Sequence, residues 1–445
     1  MKVSFFKSTL FIIIIALFYR FILDLSYIVI SDDYPVEFPI RTNTIKMILS
    51  YLMIIPLVRI TCREKTILSY LFRVIVFFTI IPISSVYAMK DESSVFFLLT
   101  CLTYLATELI LFKKNGNTDT IKLEIDPLKN SNLKLVRFFC FFILAITIVF
   151  MYVQLGVPSL MALVLDEVYD LRQSFQISTY TNYILYVSTQ VCIPFGIADG
   201  YIRKSKLQIF IIILIQLVFF LWTGHKTWFF SIFLMLGIIL LITFKKSIDY
   251  LFVALALICV IGFSFGKSDS IVGKSVSSLI NRRVLLDPAA LKFSYFDYFV
   301  VKGHSPNFVS GTVLAPVFSN SASKADEEYT YKISEEYTDK SSNAGTGLYG
   351  GDTASVGGLV FIIVPLSLLL LAFLTKKTEY YMGSIFTLLM LIYIFFSFND
   401  QRIIQYMLDI RGVYLFAILY MLSKPNKKMN KRRIPKADAV TELYD

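Results

Sequence analysis

Long apolar runs separated by short polar stretches fill most of this 445-residue chain. A helix needs roughly 20 apolar residues to cross the hydrocarbon core of a bilayer, and about twelve runs reach that length. The pattern therefore predicts an all-α polytopic membrane protein with about twelve transmembrane helices. The approximate limits of the runs are 9–30, 45–60, 68–89, 94–112, 135–156, 180–200, 207–223, 226–244, 249–266, 353–374, 379–398 and 403–422.

One polar, aromatic-rich segment, 267–352, interrupts the series of apolar runs. It divides the chain into spans one to nine (1–266), a large loop with short helices (267–352), spans ten to twelve (353–422) and a basic tail (423–445). A loop of this size between spans requires a functional explanation.

Composition agrees with the pattern. Hydrophobic residues make up 56% of the chain and aromatic residues 16%, well above the averages for soluble proteins. No cleavable signal peptide is evident, because the first apolar run is long, carries Arg20 and Asp24, and lacks a small-residue cleavage site. We expect it to remain as a span.

Basic residues alternate with the spans and predict the orientation. Every second loop is rich in Lys and Arg, and the tail from Lys424 to Lys436 is the densest basic cluster. The positive-inside rule makes these segments cytoplasmic, so both termini are predicted to be inside and segment 267–352 outside. The net charge of +11 is therefore interpreted as a topology signal with anionic-lipid contact, and nucleic-acid binding is disfavoured.

The five cysteines fall in predicted spans or on the cytoplasmic side, which favours neither a disulfide framework nor a metal site. They are Cys62, Cys101, Cys140, Cys192 and Cys259.

Charged residues inside spans are expensive and indicate a role. Arg20 and Asp24 are one helical turn apart and are expected to neutralise each other. Arg411 lies in the twelfth run, with Asp409 two residues earlier and on a different face of a continuous helix. Together with the external Arg402, Arg411 would extend an electropositive path inward. A structural ion pair with another helix is an equal alternative.

Two short external segments carry candidate phosphate ligands. Arg172 lies in the run LDEVYDLRQSF, where a forked guanidinium beside aromatic residues suits phosphate. Lys226 lies in the tight turn between the seventh and eighth spans, at headgroup depth. The alternative is a headgroup-contacting arginine and a snorkelling lysine.

The large loop contains the densest candidate chemistry. Arg282 and Arg283 precede Asp287 and Pro288, which together predict a helix start with Asp as N-cap. Consecutive arginines suit a diphosphate. Tyr295 and Tyr298 then share a face at helical spacing and suit sugar rings, although such a face is also typical of core packing.

The loop continues with His304 and ends in a segment with six glycines that includes Asn343. A neutral imidazole near pH 7 can act as a general base toward a sugar hydroxyl, and the alternative is an ordinary surface histidine. Glycines permit close approach of the backbone to another segment or to a ligand.

In this order, the motifs resemble those of the Wzy-type O-antigen and polysaccharide repeat-unit polymerases. The resemblance spans residues 150–365. It rests on an Arg in a mid-chain external loop, a short Gly-x-Lys-Thr turn at Gly224, an Arg-Pro-aromatic helix, and an Asn-Gly-rich entry into a late span at Asn343. The turn departs from the family pattern, because Lys226 stands where Arg is commoner.

The resemblance implies a GT-C-like fold in the bacterial inner membrane and a metal-independent, inverting glycosyltransferase without cofactors. The donor would be a growing glycan on undecaprenyl pyrophosphate, and the acceptor one lipid-linked repeat unit on the periplasmic face. Arg172, Arg282 and Arg283 would stabilise the departing pyrophosphate and His304 would be the base. The substrate-binding residues would be Lys226, Tyr295, Tyr298, Asn343 and Arg402.

Other members of the same pathway are the expected partners: a chain-length regulator, a flippase and a ligase, besides membrane lipids. Three functions compete with polymerisation. One, a general solute transporter, is the least favoured because charged residues are scarce inside the spans. An O-antigen ligase has the same number of spans, a similar external loop and an Arg-and-His site. A lipid-linked oligosaccharide flippase, a transporter, has a similar number of spans but short external loops, so the long loop disfavours it.

Overall fold

A computed structural model describes residues 3–6, 8–112, 131–158, 177–268, 270–308, 322–338 and 346–422. Within these ranges the protein is helical and contains no strand beyond an isolated bridge between Ser4 and Ser247. The prediction of an all-α protein is confirmed.

Thirteen of the helices that the structure describes correspond to predicted spans. They are α1 (Thr9–Asp33), α2 (Thr44–Thr61), α3 (Ile67–Met89), α4 (Ser94–Leu111), α5 (Ser131–Leu155), α6 (179–202), α7 (Lys206–Thr223), α8 (Lys226–Thr243), α9 (Tyr250–Gly266), α12 (Val360–Met382), α13 (Ser384–Ser397), α14 (Ile403–Leu408) and α15 (Ile410–Leu422). The last predicted span accounts for two of them, because its helix breaks at Asp409.

Among the described residues, seven helices are long and apolar enough to cross a membrane, and four more apolar helices are shorter. These observations support a helical membrane protein. The number of twelve spans remains a prediction.

The described residues of segment 267–352 form one long helix and one shorter helix. The long helix, α10 (271–301), is continuous and includes two π-helical stretches, Ser278–Leu286 and Asp297–Val301. The shorter, α11, covers Ala322–Thr338. Wide π-helical turns occur frequently at functional sites, because they redirect neighbouring side chains.

The helix start predicted at Asp287 is wrong. Asp287 has helical backbone angles (φ −57°, ψ −51°), and α10 begins well before it. Pro288 cannot donate to the carbonyl of Val284, four residues earlier. The side chain of Asn399 donates to that carbonyl at 2.7 Å, so the helix continues through the proline.

The chain divides into two compact units. Unit 1 comprises Met1–Asn117, His225–Ala372 and Leu391–Val413, and unit 2 comprises the remaining residues. In unit 1, α1 packs on α2, α3 and α9, and α10 packs on α1, α3 and α9. We call the end of unit 1 that holds the Asp33 end of α1, the Ser94 end of α4 and helix α10 the loop end.

Polar residues cap the first four helices of unit 1. The side chains of Ser8, Asn43, Thr66 and Ser93 accept hydrogen bonds from the first backbone N–H groups of α1 to α4. The first N–H groups of a helix have no acceptor within the helix itself. A short polar side chain just before the helix accepts from them and so stabilises the helix start.

Arg20 and Asp24 form an ion pair, as predicted. The Arg20 guanidinium also donates to Ser84, and Asp24 accepts from Tyr51 at 2.9 Å and from Ser85 at 2.6 Å. The pair is therefore satisfied by two neighbouring helices, α2 and α3, as well as by its own contact.

A second buried pair joins α3 to the start of α9. Arg73 is 2% exposed and forms an ion pair with the fully buried Asp249. Asp249 also accepts from the backbone N–H of Phe6 at 2.6 Å, which holds the amino-terminal segment against these helices.

In unit 2, Asp199 on α6 is fully buried and accepts two hydrogen bonds from Arg137 on α5, at 2.8 and 2.7 Å. Gln208 on α7 donates to the same carboxylate at 3.0 Å. This forked pair joins three helices of unit 2.

Replacement of Arg73 tests the importance of the buried pair. Arg73→Met leaves Asp249 buried without its cation, and we expect it to lower the free energy of unfolding by about 3–5 kcal/mol. Arg73→Met combined with Asp249→Asn removes the charge but keeps a hydrogen-bond acceptor, so it should cost less. Thermal unfolding of the purified protein in detergent would compare the two, and equal losses would contradict the interpretation.

Candidate functional site

The predicted site residues are distributed unevenly over the structure. Arg172 and Asn343 lie outside the described residues, and Lys226 is the first residue of α8, with its side chain outside the description. The remaining six all belong to unit 1: Arg282, Arg283, Tyr295, Tyr298, His304 and Arg402.

Arg282 is enclosed by carboxylates and an aromatic ring. It is 6% exposed and lies 3.4 Å from Glu37 and 3.5 Å from Asp287. Its guanidinium carbon lies 4.0 Å from the centre of the Tyr34 ring. Arg282 thus joins α10 to the segment that follows α1, and its charge is already compensated.

Arg283, by contrast, is exposed at the loop end. It occupies the same π-helical stretch as Arg282, and Asp287 lies one turn further along the helix. Residues four apart share one face of a helix, so Asp287, which pairs with Arg282, is expected on the same side of α10 as Arg283. Of the two arginines, Arg283 is the one that an external anion can reach.

The aromatic face of α10 packs against α11. Tyr295 is 1% exposed and Tyr298 6% exposed, and both belong to a buried cluster with Phe299 and Ile333. Tyr295 is therefore a core residue, which is the alternative that the sequence left open.

The far end of α10 carries a shelf, which we define as the exposed Lys302 and His304, the half-buried Tyr337 and the buried Tyr298. The exposed His304 ring stacks on Tyr298 with centroids 3.9 Å apart and planes 17° apart. Lys302 donates to Glu336 and to the Tyr337 hydroxyl (2.8 Å). These hydrogen bonds, that of Glu336 first, hold the pKa of Lys302 above its usual range.

The two ends of α10 are far apart. Arg283 and the last residue of the helix are separated by a distance on the order of 25 Å at the usual rise per residue. The structure therefore does not bring Arg282 and Arg283 within hydrogen-bond reach of His304.

The glycine-rich segment forms a buried plug at the loop end, which we call the glycine plug (346–353). A Cβ at Gly350 would lie 2.3 Å from the Cα of Lys292, and a Cβ at Gly347 would lie 2.3 Å from the carbonyl oxygen of Phe398. Close backbone approach thus explains these glycines.

The plug contributes Asp352 to a buried polar cluster whose other members are Lys292, Asn399 and Arg402. Lys292 is fully buried and donates to the carbonyl oxygen of Asn399 at 2.7 Å. Asp352 is also fully buried and accepts from the backbone N–H groups of Tyr349 (3.2 Å) and Ile404 (3.0 Å).

Burial shifts the two titratable groups of this cluster in opposite directions. It lowers the pKa of Lys292 to about 7, partly offset by the charges of Asp400 and Asp352. It raises the pKa of Asp352 to about 7, partly offset by the Ile404 N–H and by Arg402. Both groups therefore change charge near neutral pH, where a small change in surroundings decides their state.

Sequence reasoning identified Arg402 but missed Lys292, Asp352 and Asn399. Lys292 stands on a helix face whose other members are apolar, which was a usable signal for a buried cation. Asn399 carried no signal, because its two partners, Val284 and Lys292, are distant in sequence.

No protein-family model, no curated protein and no solved structure matches this chain. The described residues also contain no group of three His, Cys, Asp or Glu side chains that could hold a metal ion. The interpretation of the site therefore depends on its own geometry.

A substitution at Gly350 tests the close packing of the glycine plug on α10. Gly350→Ala places a methyl group against the Lys292 backbone, and we expect a loss of about 1–3 kcal/mol in the free energy of unfolding from overpacking. Gly358→Ala is the matched control, because the nearest atom to its Cβ, on Val300, would be 4.0 Å away. Thermal unfolding in detergent measures both, and equal stability of the two variants would refute the close contact.

The lowered pKa of Lys292 should make the free energy of unfolding depend on pH. Between about 7 and the ordinary value of 10.5, the unfolded chain binds a proton on this amine that the folded protein does not. The free energy of unfolding of the wild type should therefore rise with pH across this window, relative to Lys292→Met. Denaturant titrations of both proteins at several pH values check this, and a constant difference would show that Lys292 remains charged when folded.

Proposed function

We propose that this protein is a Wzy-type polysaccharide polymerase, as its sequence motifs suggest. It would join undecaprenyl-pyrophosphate-linked repeat units on the periplasmic face of the bacterial inner membrane. It would have about twelve spans in a GT-C-like arrangement, with both termini in the cytoplasm. The observation that supports this proposal best is the pairing of a fixed arginine, Arg282, with an exposed one, Arg283, on the π-helical stretch of α10.

In this proposal the pyrophosphate of the donor binds Arg283. A guanidinium presents donors in a rigid fork that matches phosphate oxygens, and it stays charged at all physiological pH values. Charge that develops on the leaving pyrophosphate is then stabilised without a metal ion. Arg282 positions the stretch through Glu37 and Asp287.

The reaction is a single displacement with inversion. A hydroxyl of the acceptor sugar attacks the anomeric carbon of the donor, the bond to pyrophosphate breaks, and its electron pair leaves with the lipid pyrophosphate. A general base takes the hydroxyl proton. We propose Asp287 for this role, because it is 28% exposed and lies one turn from Arg283, whereas His304 is too distant from the arginines.

In this proposal the shelf binds the saccharide and takes no part in proton transfer. A stacked His–Tyr pair beside an exposed lysine offers both an apolar ring face and hydrogen-bond donors. Such a surface suits a sugar ring, whose two sides are apolar and whose edge carries hydroxyls.

Substitution of the two arginines separates chemistry from structure. In a deletion strain complemented with Arg283→Ala, we expect surface glycolipid with a single repeat unit and a normal amount of membrane protein, because the exposed phosphate contact is lost. Arg282→Ala should instead reduce the amount of protein, because Glu37 loses a buried partner.

Lys274→Ala is the control for this experiment. Lys274 lies on the same helix and makes an exposed ion pair with Asp33 at 2.9 Å, which should contribute little. Its glycolipid ladder should match that of the wild type on a gel. A normal ladder from Arg283→Ala would overturn the site, and lipid A-core without any repeat unit in the deletion strain would indicate a ligase or a flippase.

A further inference from the structure

The first turns of α12 have a buried face and an exposed face. Val360, Val364 and Leu368 are fully buried at helical spacing, so their face packs on the protein. The opposite face carries a stripe of apolar side chains that are each at least half exposed: Leu359, Ile362, Leu366 and Leu370. Because this stretch belongs to a helix long and apolar enough to cross a membrane, the exposed stripe is expected to contact lipid hydrocarbon.

The end of α10 packs beside the beginning of this stripe. A Cβ at Gly358 would lie 4.0 Å from the side chain of Val300, which is ordinary van der Waals contact. The backbone N–H of Asn307 donates to the carbonyl oxygen of Ala354 at 2.8 Å. The chain from the end of α10 to Asn307 therefore lies level with the start of α12.

A glycine turn holds the shelf at this level. Gly303 follows the end of α10 and has φ +72°, a conformation that side chains other than that of glycine adopt only with strain. After this turn the N–H of His304 donates to the carbonyl oxygen of Tyr298 at 3.3 Å. The shelf is therefore connected to the start of α12 by backbone hydrogen bonds on both sides of the turn.

Two large apolar side chains at the same level are exposed. Val301 is 63% exposed and Phe308 is 47% exposed. Each is adjacent in sequence to a residue that contacts the start of α12. A single exposed apolar side chain is ordinary on a protein surface, but these two lie beside the exposed stripe of a candidate membrane span.

The polar residues between them fit the boundary of a bilayer. Lys302 and His304 are exposed and stand between Val301 and Phe308 in the chain. At the interface between hydrocarbon and water, apolar side chains reach into the lipid while cationic and aromatic groups remain among the headgroups. A segment of this mixed character, continuous with a lipid-facing stripe, indicates the bilayer surface as its partner.

We propose that segment 301–308 is a bilayer-contacting surface, in which Val301 and Phe308 enter the lipid beside α12 and hold the shelf at headgroup depth. The headgroup region is about 5–7 Å thick on each side of a bilayer, so Lys302 and His304 lie among headgroups instead of in bulk water. This inference does not depend on the polymerase activity. Where that activity holds, the saccharide binds close to the lipid that carries it.

Spin labels on the full-length protein test the proposal, in nanodiscs of phosphatidylcholine and phosphatidylglycerol. Cys62→Ser first removes the one cysteine that is not buried. A label at Phe308→Cys then reports its collisions with oxygen, which concentrates in lipid, and with a neutral nickel chelate, which stays in water. We expect a preference for oxygen and a depth about 10 Å shallower than that of a label at Leu366→Cys, because seven helical residues separate Leu366 from Leu359.

Tyr331→Cys is the matched control. Tyr331 is also aromatic and is 42% exposed, but it lies on α11 outside segment 301–308. Its label should collide mainly with the nickel chelate. Val301→Cys repeats the measurement at the second apolar position, so the test stands even where Phe308→Cys fails to fold.

The outcomes distinguish lipid from water and from protein. Labels at Val301 and Phe308 that are as accessible to the nickel chelate as the label at Tyr331 would show that the segment faces water, and would overturn the proposal. Labels shielded from both reagents would show that protein covers the surface, either a second copy of this chain or another partner, and would overturn it as well.

Discussion

The contact between the glycine plug and helix α10 is the constraint on which the loop end depends. Gly350 lies so close to the backbone of Lys292 that no side chain fits there. This approach buries Lys292 and Asp352, and each then needs a partner that the backbone provides. Lys292 uses the carbonyl oxygen of Asn399, and Asp352 uses the first N–H groups of α14. Removal of the plug would therefore expose several polar groups to solvent or leave them buried without hydrogen-bond partners.

Three buried ion pairs share one pattern when the two units are considered separately. Arg20 with Asp24 and Arg73 with Asp249 in unit 1, and Arg137 with Asp199 in unit 2, are all closed pairs with further hydrogen bonds. Such pairs are costly to break but do not by themselves imply chemistry. Glu108 differs from these pairs, because neither of its carboxyl oxygens has a hydrogen-bond partner in the described part of the chain.

The helices could be predicted from the sequence because a membrane-spanning run is a one-dimensional signal of length and apolarity. Predicted limits such as 45–60 and 94–112 differ little from the helices observed, Thr44–Thr61 and Ser94–Leu111. The ion pair of Arg20 and Asp24 was predictable for the same reason, since both residues lie on one helix.

Interactions that depend on a break or on a distant partner could not be predicted. Asp409 and Arg411 fall on different faces of a continuous helix, but the helix ends at Leu408 and restarts at Ile410, so the two side chains pair. Pro288 indicated a helix start. The side chain of Asn399, 111 positions later, instead donates the hydrogen bond that the proline cannot provide. Neither effect leaves a local pattern in the sequence.

The length of α10 bears most directly on mechanism. Motif order placed Arg283 and His304 in one site, because sequence proximity in a loop suggests spatial proximity. A continuous helix instead separates them by a distance on the order of 25 Å, which is longer than any single proton transfer. A polymer substrate can span that distance, whereas a reacting bond cannot. Pyrophosphate chemistry at the arginines and saccharide binding at the shelf are therefore compatible, and a base at His304 with a leaving group at Arg283 is not.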